Sequence, residues 1–207
     1  MRFALTTSPQ TAREHFGYED EHDFPPRAFI APEEPILLVV AREFSGGEAR
    51  RLLLARWGFL PGFVKDPATF PLLAHARSEG VMEKPSFAPA FRRRRCLAPA
   101  SALHVRDRKQ DYVLSPQDGA PLGLAALYET YLDPNGSEID TACLLTTQAS
   151  GPASAVADRL PVLLPRAAFS VWLDHERTPL AAALSLLRPA PEDVLQLSRA
   201  AGADTFR

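Results

Sequence analysis

The sequence predicts an α+β fold: an antiparallel, β-barrel-like core with short peripheral helices. Three observations lead there. The 207 residues include 20 prolines, roughly twice ordinary usage and too many for a helical bundle. The apolar residues gather in runs of strand length rather than at helical spacing. Turn dipeptides, Asp118-Gly119 and Asn135-Gly136 among them, separate those runs.

The elements follow in order. Arg2 to Thr6 reads as a strand. Ser8-Pro9 starts a helix with a cap and a proline in its first turn. That helix carries Phe16 inward and stops at Gly17. Residues 19–35 are acidic and proline-rich and read as irregular. Ile36 to Arg42 and Ala49 to Trp57 form a hairpin around a turn at Ser45 to Glu48. A long loop with aromatic residues follows, of the kind that is functional or packed over a site. Ser86 to Arg94 is a short helix. Strands follow at Cys96–Val105, Asp111–Ser115, Pro121–Thr130 and Ile139–Thr147. Gly151 to Asp158 is a helical turn, and Leu160 to Leu164 a short strand. Pro165 opens an amphipathic helix ending near Leu173. Pro179 opens another, rich in alanine and leucine.

Composition sets the class. Apolar residues are 46%, charged residues 23%, and the formal net charge is -2. These values describe an ordinary globular protein, read as a single domain over 1–207. The whole chain is no polycation, so any nucleic-acid site must be a local basic patch. The N-terminus lacks a secretory pattern, and no apolar run approaches the ~18 residues of a membrane span. A cytoplasmic monomer is expected. Cys96 and Cys143 lie far apart, without metal-ligand spacing, and read as buried small hydrophobes. His15, His22, His104 and His175 show no ligand spacing either. No metal and no cofactor are expected.

Five segments, in order, carry a resemblance: FPPRAFIAP, ARWGFLPGFVKDP, MEKPSFAPAFRRRRCLAPA, ADRLPVLL and LSRAAG. Together they resemble the SRAP family of abasic-site-processing proteins in DNA damage responses, along nearly the whole chain. The resemblance implies a compact β-rich fold with a positively charged cleft for single-stranded DNA and its junctions. It also implies covalent chemistry. In the family an N-terminal cysteine, exposed by methionine removal, attacks the aldehyde of an abasic site and closes a thiazolidine. An asparagine, a glutamate and a histidine assist. The family name records an older proposal of peptidase activity.

This chain departs from that pattern at each chemical position. It begins Met1-Arg2-Phe3, where the family has Met-Cys-Gly-Arg-Phe, so the Cys-Gly pair is missing. An internal cysteine cannot replace it, because ring closure needs the amine and thiol of one residue. The family asparagine, glutamate and histidine positions hold His75, Val105 and Ala157. A further asparagine position holds Phe29. No catalytic residue is therefore assigned.

DNA-contact candidates remain. Arg2, Arg77 and Arg159 match family arginines, and a guanidinium fork suits phosphate oxygens. Phe63 matches a family aromatic that stacks on a base; alternatively it packs under its loop. Asp158 holds Arg159 or caps a turn. The run Arg92 to Arg95 is either a basic patch or a solvated surface with some stems laid over the core. Trp57 reads as core. His75 titrates near neutrality and hydrogen-bonds a phosphate or base, or is simply tolerated.

Three functions are compatible with these residues. The first is a non-covalent binder of single-stranded or gapped DNA that has lost abasic-site crosslinking. The second is residual Schiff-base or lyase activity through the Met1 amine. The third is a regulatory module whose acidic stretch, Glu19 to Asp23 with Glu33 and Glu34, meets a protein partner.

Overall fold

A computed structural model describes residues 1–21, 23–44, 47–133 and 135–200. Strand β1 (Arg2–Leu5) leads into α1 (Pro9–Phe16). The Ser8 hydroxyl caps α1, accepting from the Thr11 amide at 3.1 Å. Gly17 ends it at φ 68°, its N–H reaching the Arg13 carbonyl at 2.8 Å. Glycine enters that left-handed region without a Cβ penalty. Then come β2 (Arg27–Ile30), β3 (Pro35–Phe44), β4 (Gly47–Trp57), β5 (His75–Arg77) and α2 (Ala88–Arg93). Strands β6 (Arg95–Ala100), β7 (Ala102–Asp107), β8 (Gln110–Pro116), β9 (Leu122–Leu132) and β10 (Glu138–Gln148) follow. A 3₁₀ turn, Gly151–Ala155, precedes β11 (Arg159–Pro161) and β12 (Leu163–Leu164), and a second, Arg166–Ala168, follows them. The chain finishes with α3 (Phe169–Leu173), α4 (Leu180–Ser185) and β13 (Leu195–Arg199).

Five strands close on themselves in the order β3, β4, β10, β9, β6 and back to β3. All pairs are antiparallel except β4 with β10, which run parallel through Arg56↔Thr141 and Trp57↔Ala142. Successive side chains point to opposite faces of this closed sheet. Ile36, Leu38, Val40, Ala55, Trp57, Cys96, Ala98, Leu124, Ala126, Ala142 and Leu144 share one buried cluster. Val39, Leu97, Ala125, Leu127, Cys143 and Leu145 alternate with them and belong to a second. That outer cluster is covered by Phe16 of α1, Phe91 of α2, Trp172 of α3 and Ala183 of α4. Both faces are buried, which is why these strands read as unbroken apolar runs. Burial pushes the thiols of Cys96 and Cys143 above their ordinary range, so both are inert hydrophobes.

A second sheet, in the order β13-β8-β7-β1-β2, adds Phe3, Leu5, Leu103, Val105 and Leu114 to the first cluster. The chain changes sheets at Ser101. Its hydroxyl accepts from the Thr6 and Thr7 amides at 2.8 and 2.9 Å, and its own N–H reaches the Ala4 carbonyl at 2.7 Å. The expected strand Cys96–Val105 is therefore two strands in two sheets. Leu160–Leu164 likewise divides, because β11 pairs with β10 and β12 with β9. Strands β2, β5 and β13 were not expected. The first two lie in proline-rich stretches and have only four and three residues. The turn residues Ser45 and Gly46, and His22, lie outside the described residues.

The acidic stretch bonds within the chain. Arg51 lies 3.6 Å from Glu19 and 3.7 Å from Asp20, while Arg13 meets Glu21 at 3.2 Å. Glu33 pairs with Arg56 and Glu34 with Arg27, both at 3.0 Å.

The arginine run divides by position. Arg92 and Arg93 are exposed at the end of α2, and Arg94 pairs with Glu129. Arg95 is only 2% exposed and belongs to the core. It donates to the Trp172, Phe91 and Asp174 carbonyls at 2.6, 3.0 and 3.0 Å, and lies over the Phe91 and Trp172 rings. The run is thus no single basic patch; it divides between solvent and core, with Arg95 buried whole rather than by its stem alone. Arg95→Met leaves those carbonyls without their donor, and should destabilise the fold by about 2–4 kcal/mol in urea unfolding. Arg95→Lys should recover only part of the loss, since an ammonium cannot span three carbonyls.

Candidate functional site

The site is organised around the end of β10. On one side β5 runs parallel to it, with His75 opposite Leu144 and Arg77 opposite Thr146. On the other side β11 runs antiparallel, with Arg159 opposite Gln148. Arg77 and Arg159 thus flank the same strand end. Trp57 fixes the start of β5: its indole N–H donates to the Ala74 carbonyl at 2.8 Å. The same carbonyl accepts from the Leu144 amide at 3.0 Å. Trp57 is core, as expected, and its ring meets Phe3 at 5.2 Å and His75 edge-on at 5.5 Å.

A cavity of about 370 Å³ opens beside this strand end. Met1, Val105, Ala157 and Arg159 line it, with Asp107 and Asp158 as its carboxylates. The cavity therefore brings Met1 together with Val105 and Ala157, the residues that the resemblance sets at the family's glutamate and histidine positions. Val105 is buried, and neither it nor Ala157 offers a proton donor or acceptor on its side chain. Asp107 was not singled out from the sequence, because nothing in its local pattern separates it from an ordinary turn carboxylate.

Burial, and then the adjacent Arg2 guanidinium, lowers the pKa of the Met1 amine. His75 is pushed down to about 4 by burial first and by the charge of that amine second. Its Nε2 is buried without a hydrogen-bond partner among the described residues. His75 is thus a neutral imidazole at physiological pH and, because it is buried, does not titrate near neutrality as the sequence suggested.

Arg159 is held firmly. Its Nε donates to Thr146 Oγ1 at 3.3 Å, and one Nη donates to the Thr146 carbonyl and to Glu79 Oε2, each at 2.6 Å. Its carboxylate partner is Glu79, which answers the first of the two roles left open for Asp158 in the negative. Glu79, two residues past β5, was missed because its partner lies 80 residues away.

Phe63 lies apart from this cavity's lining, on the long loop. That loop leaves and rejoins β10: the Gly58 amide bonds the Ala142 carbonyl at 2.9 Å, and Phe59 donates to Leu73 at 3.1 Å across its neck. Leu60, Val64, Phe70 and Tyr131 pack inside it. Phe63 stays 60% exposed, meeting Phe70 edge-on at 6.5 Å. Phe29 is also exposed and lies against His104, with ring centres 4.8 Å apart.

The neutral His75 has a consequence for stability. As pH falls below 6.5 the unfolded chain takes up a proton that the folded chain refuses until about 4. Stability is therefore lost through that window. His75→Asn should reduce the loss between pH 7 and pH 4.5 by about 2–3 kcal/mol, read from urea unfolding at both values.

The family model described as SOS response associated peptidase (SRAP) matches residues 1–202. The abasic site processing protein YoqW of Bacillus subtilis is 28% identical over 208 residues, covering 94% of this chain and 89% of the relative. The abasic site processing protein YedK of Escherichia coli is 27% identical over 151 residues, covering 71% and 64%. A crystal structure from Bordetella bronchiseptica superposes with a TM-score of 0.79 at 25% identity, covering 97% of this chain and 98% of that one. Another, from Bacteroides thetaiotaomicron, gives 0.83 over 96% and 90% of the two chains; at 17% identity it speaks for the fold alone. By sequence and by fold, the chain belongs to the SOS response associated peptidase (SRAP) family.

Proposed function

We propose that this protein is a DNA-damage-response member of its family that binds single-stranded or gapped DNA without forming a covalent bond to it. The relatives named abasic site processing proteins supply the substrate class. The observation that carries the reading is the pair Arg77 and Arg159 on either side of β10, beside a cavity whose chemical positions hold Val105 and Ala157. Positive charge at the strand end favours phosphate. Among the described residues that line the cavity there is no cysteine and no histidine to drive ring closure. Arg2 adds a third guanidinium beside Met1. Exposed Phe63 offers a ring face to a base, a contact worth on the order of 1–3 kcal/mol.

A native gel-shift titration with single-stranded and gapped DNA tests this. At low salt the protein should shift both. Arg77→Ala and Arg159→Ala should each weaken binding by roughly 3- to 10-fold and flatten its salt dependence. A protein that shifts neither DNA at low salt rules the reading out.

One observation favours a second reading. The lowered pKa of the Met1 amine leaves more of it unprotonated near neutral pH, the form that condenses with an aldehyde. A protein retaining Met1 with its free amine can then form an imine with a ring-opened abasic site and support β-elimination. Borohydride should trap that imine as a band on a denaturing gel, and acetylating the amine should remove it. No trapped band on abasic single-stranded DNA leaves the non-covalent reading alone.

A further inference from the structure

We propose that Glu79 sets the strength of this interface by competing with DNA phosphate for Arg159. The inference rests on the DNA-binding reading above. Arginine recognises a phosphate best through parallel N–H groups on one edge of its planar head. In Arg159 those groups are engaged within the chain. Nε meets the Thr146 hydroxyl, and one Nη is shared between the Thr146 carbonyl and Glu79 Oε2. The Arg159 side chain is 25% exposed and that of Glu79 is 54% exposed. The carboxylate is thus the solvent-side partner of the guanidinium, on the side from which a phosphate arrives.

The backbone places it there. The Ser78 amide donates to the Thr146 carbonyl at 2.8 Å, the same oxygen that Arg159 uses. One carbonyl on β10 therefore ties the chain beside Glu79 to the arginine from β11. Glu79 also stands two residues from Arg77, so its charge opposes phosphate at both flanking arginines. A half-exposed ion pair of this kind is worth little and is readily exchanged. Binding then swaps one anionic partner of Arg159 for another: the carboxylate leaves and the phosphate takes its donors. Thr146 keeps the guanidinium in place during the exchange.

Glu79→Gln tests the competition, because it keeps the size and a carbonyl acceptor while removing the charge. Binding of a single-stranded oligonucleotide at low salt, followed by fluorescence anisotropy, should tighten by about 3- to 10-fold. Glu79→Ala should tighten it comparably. The gain should shrink at high salt and disappear when Arg159→Ala is also present. If the parent protein binds and Glu79→Gln binds equally or more weakly, Glu79 positions Arg159 instead and the competition is wrong. If neither protein binds, the DNA-binding reading and this inference both fall.

Discussion

Strand β10 hydrogen-bonds to four other strands, and the rest of the molecule is arranged by that fact. Its first part pairs with β9, its middle with the end of β4, and its last part with β5 and β11. The parallel contact with β4 closes the barrel. The same contact delivers Trp57 to the point where β5 begins, and so fixes His75. Beyond the barrel rim β10 still needs partners for its backbone groups. Short strands supply them on both sides and bring Arg77 and Arg159 along. Barrel closure and site assembly are consequences of one strand satisfying its backbone.

The departures that the resemblance implies at this site are ones a fold can tolerate. Replacing a polar group in a partly enclosed cavity by valine or alanine removes a desolvation cost. Val105 has joined the buried core that it borders. His75 shows the opposite case: a polar ring kept under the Trp57 edge, stable only while uncharged. Framework positions such as Trp57 and Gly58 still perform structural tasks. The Gly58 amide holds the loop neck to the Ala142 carbonyl, and a Cβ there would ask only the exposed Leu72 side chain to move aside.

Much of the fold was legible in the sequence because local chemistry announced it. Ser8, Pro9 and Gly17 marked both ends of α1, and Asp118-Gly119 marked the turn before β9. Continuous apolar runs located the barrel strands. What stayed hidden depended on distant partners. Strand β5 is three residues long and exists because β10 offers it an edge. Ser101 looks like any strand serine until Thr6 and Thr7 come to it from 95 and 94 residues away. Arg95 resembles its three neighbours, yet only its side chain enters the core, because helix α2 ends and β6 begins there. The candidate arginines were readable from the resemblance; the carboxylate that restrains one of them was not.

The closed barrel also imposes an order on how the chain reaches its native state. The β3–β4 and β9–β10 hairpins join neighbouring segments and can form early, since short loops close quickly. The β4–β10 contact joins residues 56 and 57 to 141 and 142. A closure of that span must wait for the hairpins, and topologies dominated by such distant contacts fold slowly. Until it forms, β10 presents an unpaired apolar edge, the kind of surface that recruits other chains. The strand that assembles the site is therefore also one through which the nascent chain is exposed to misassembly.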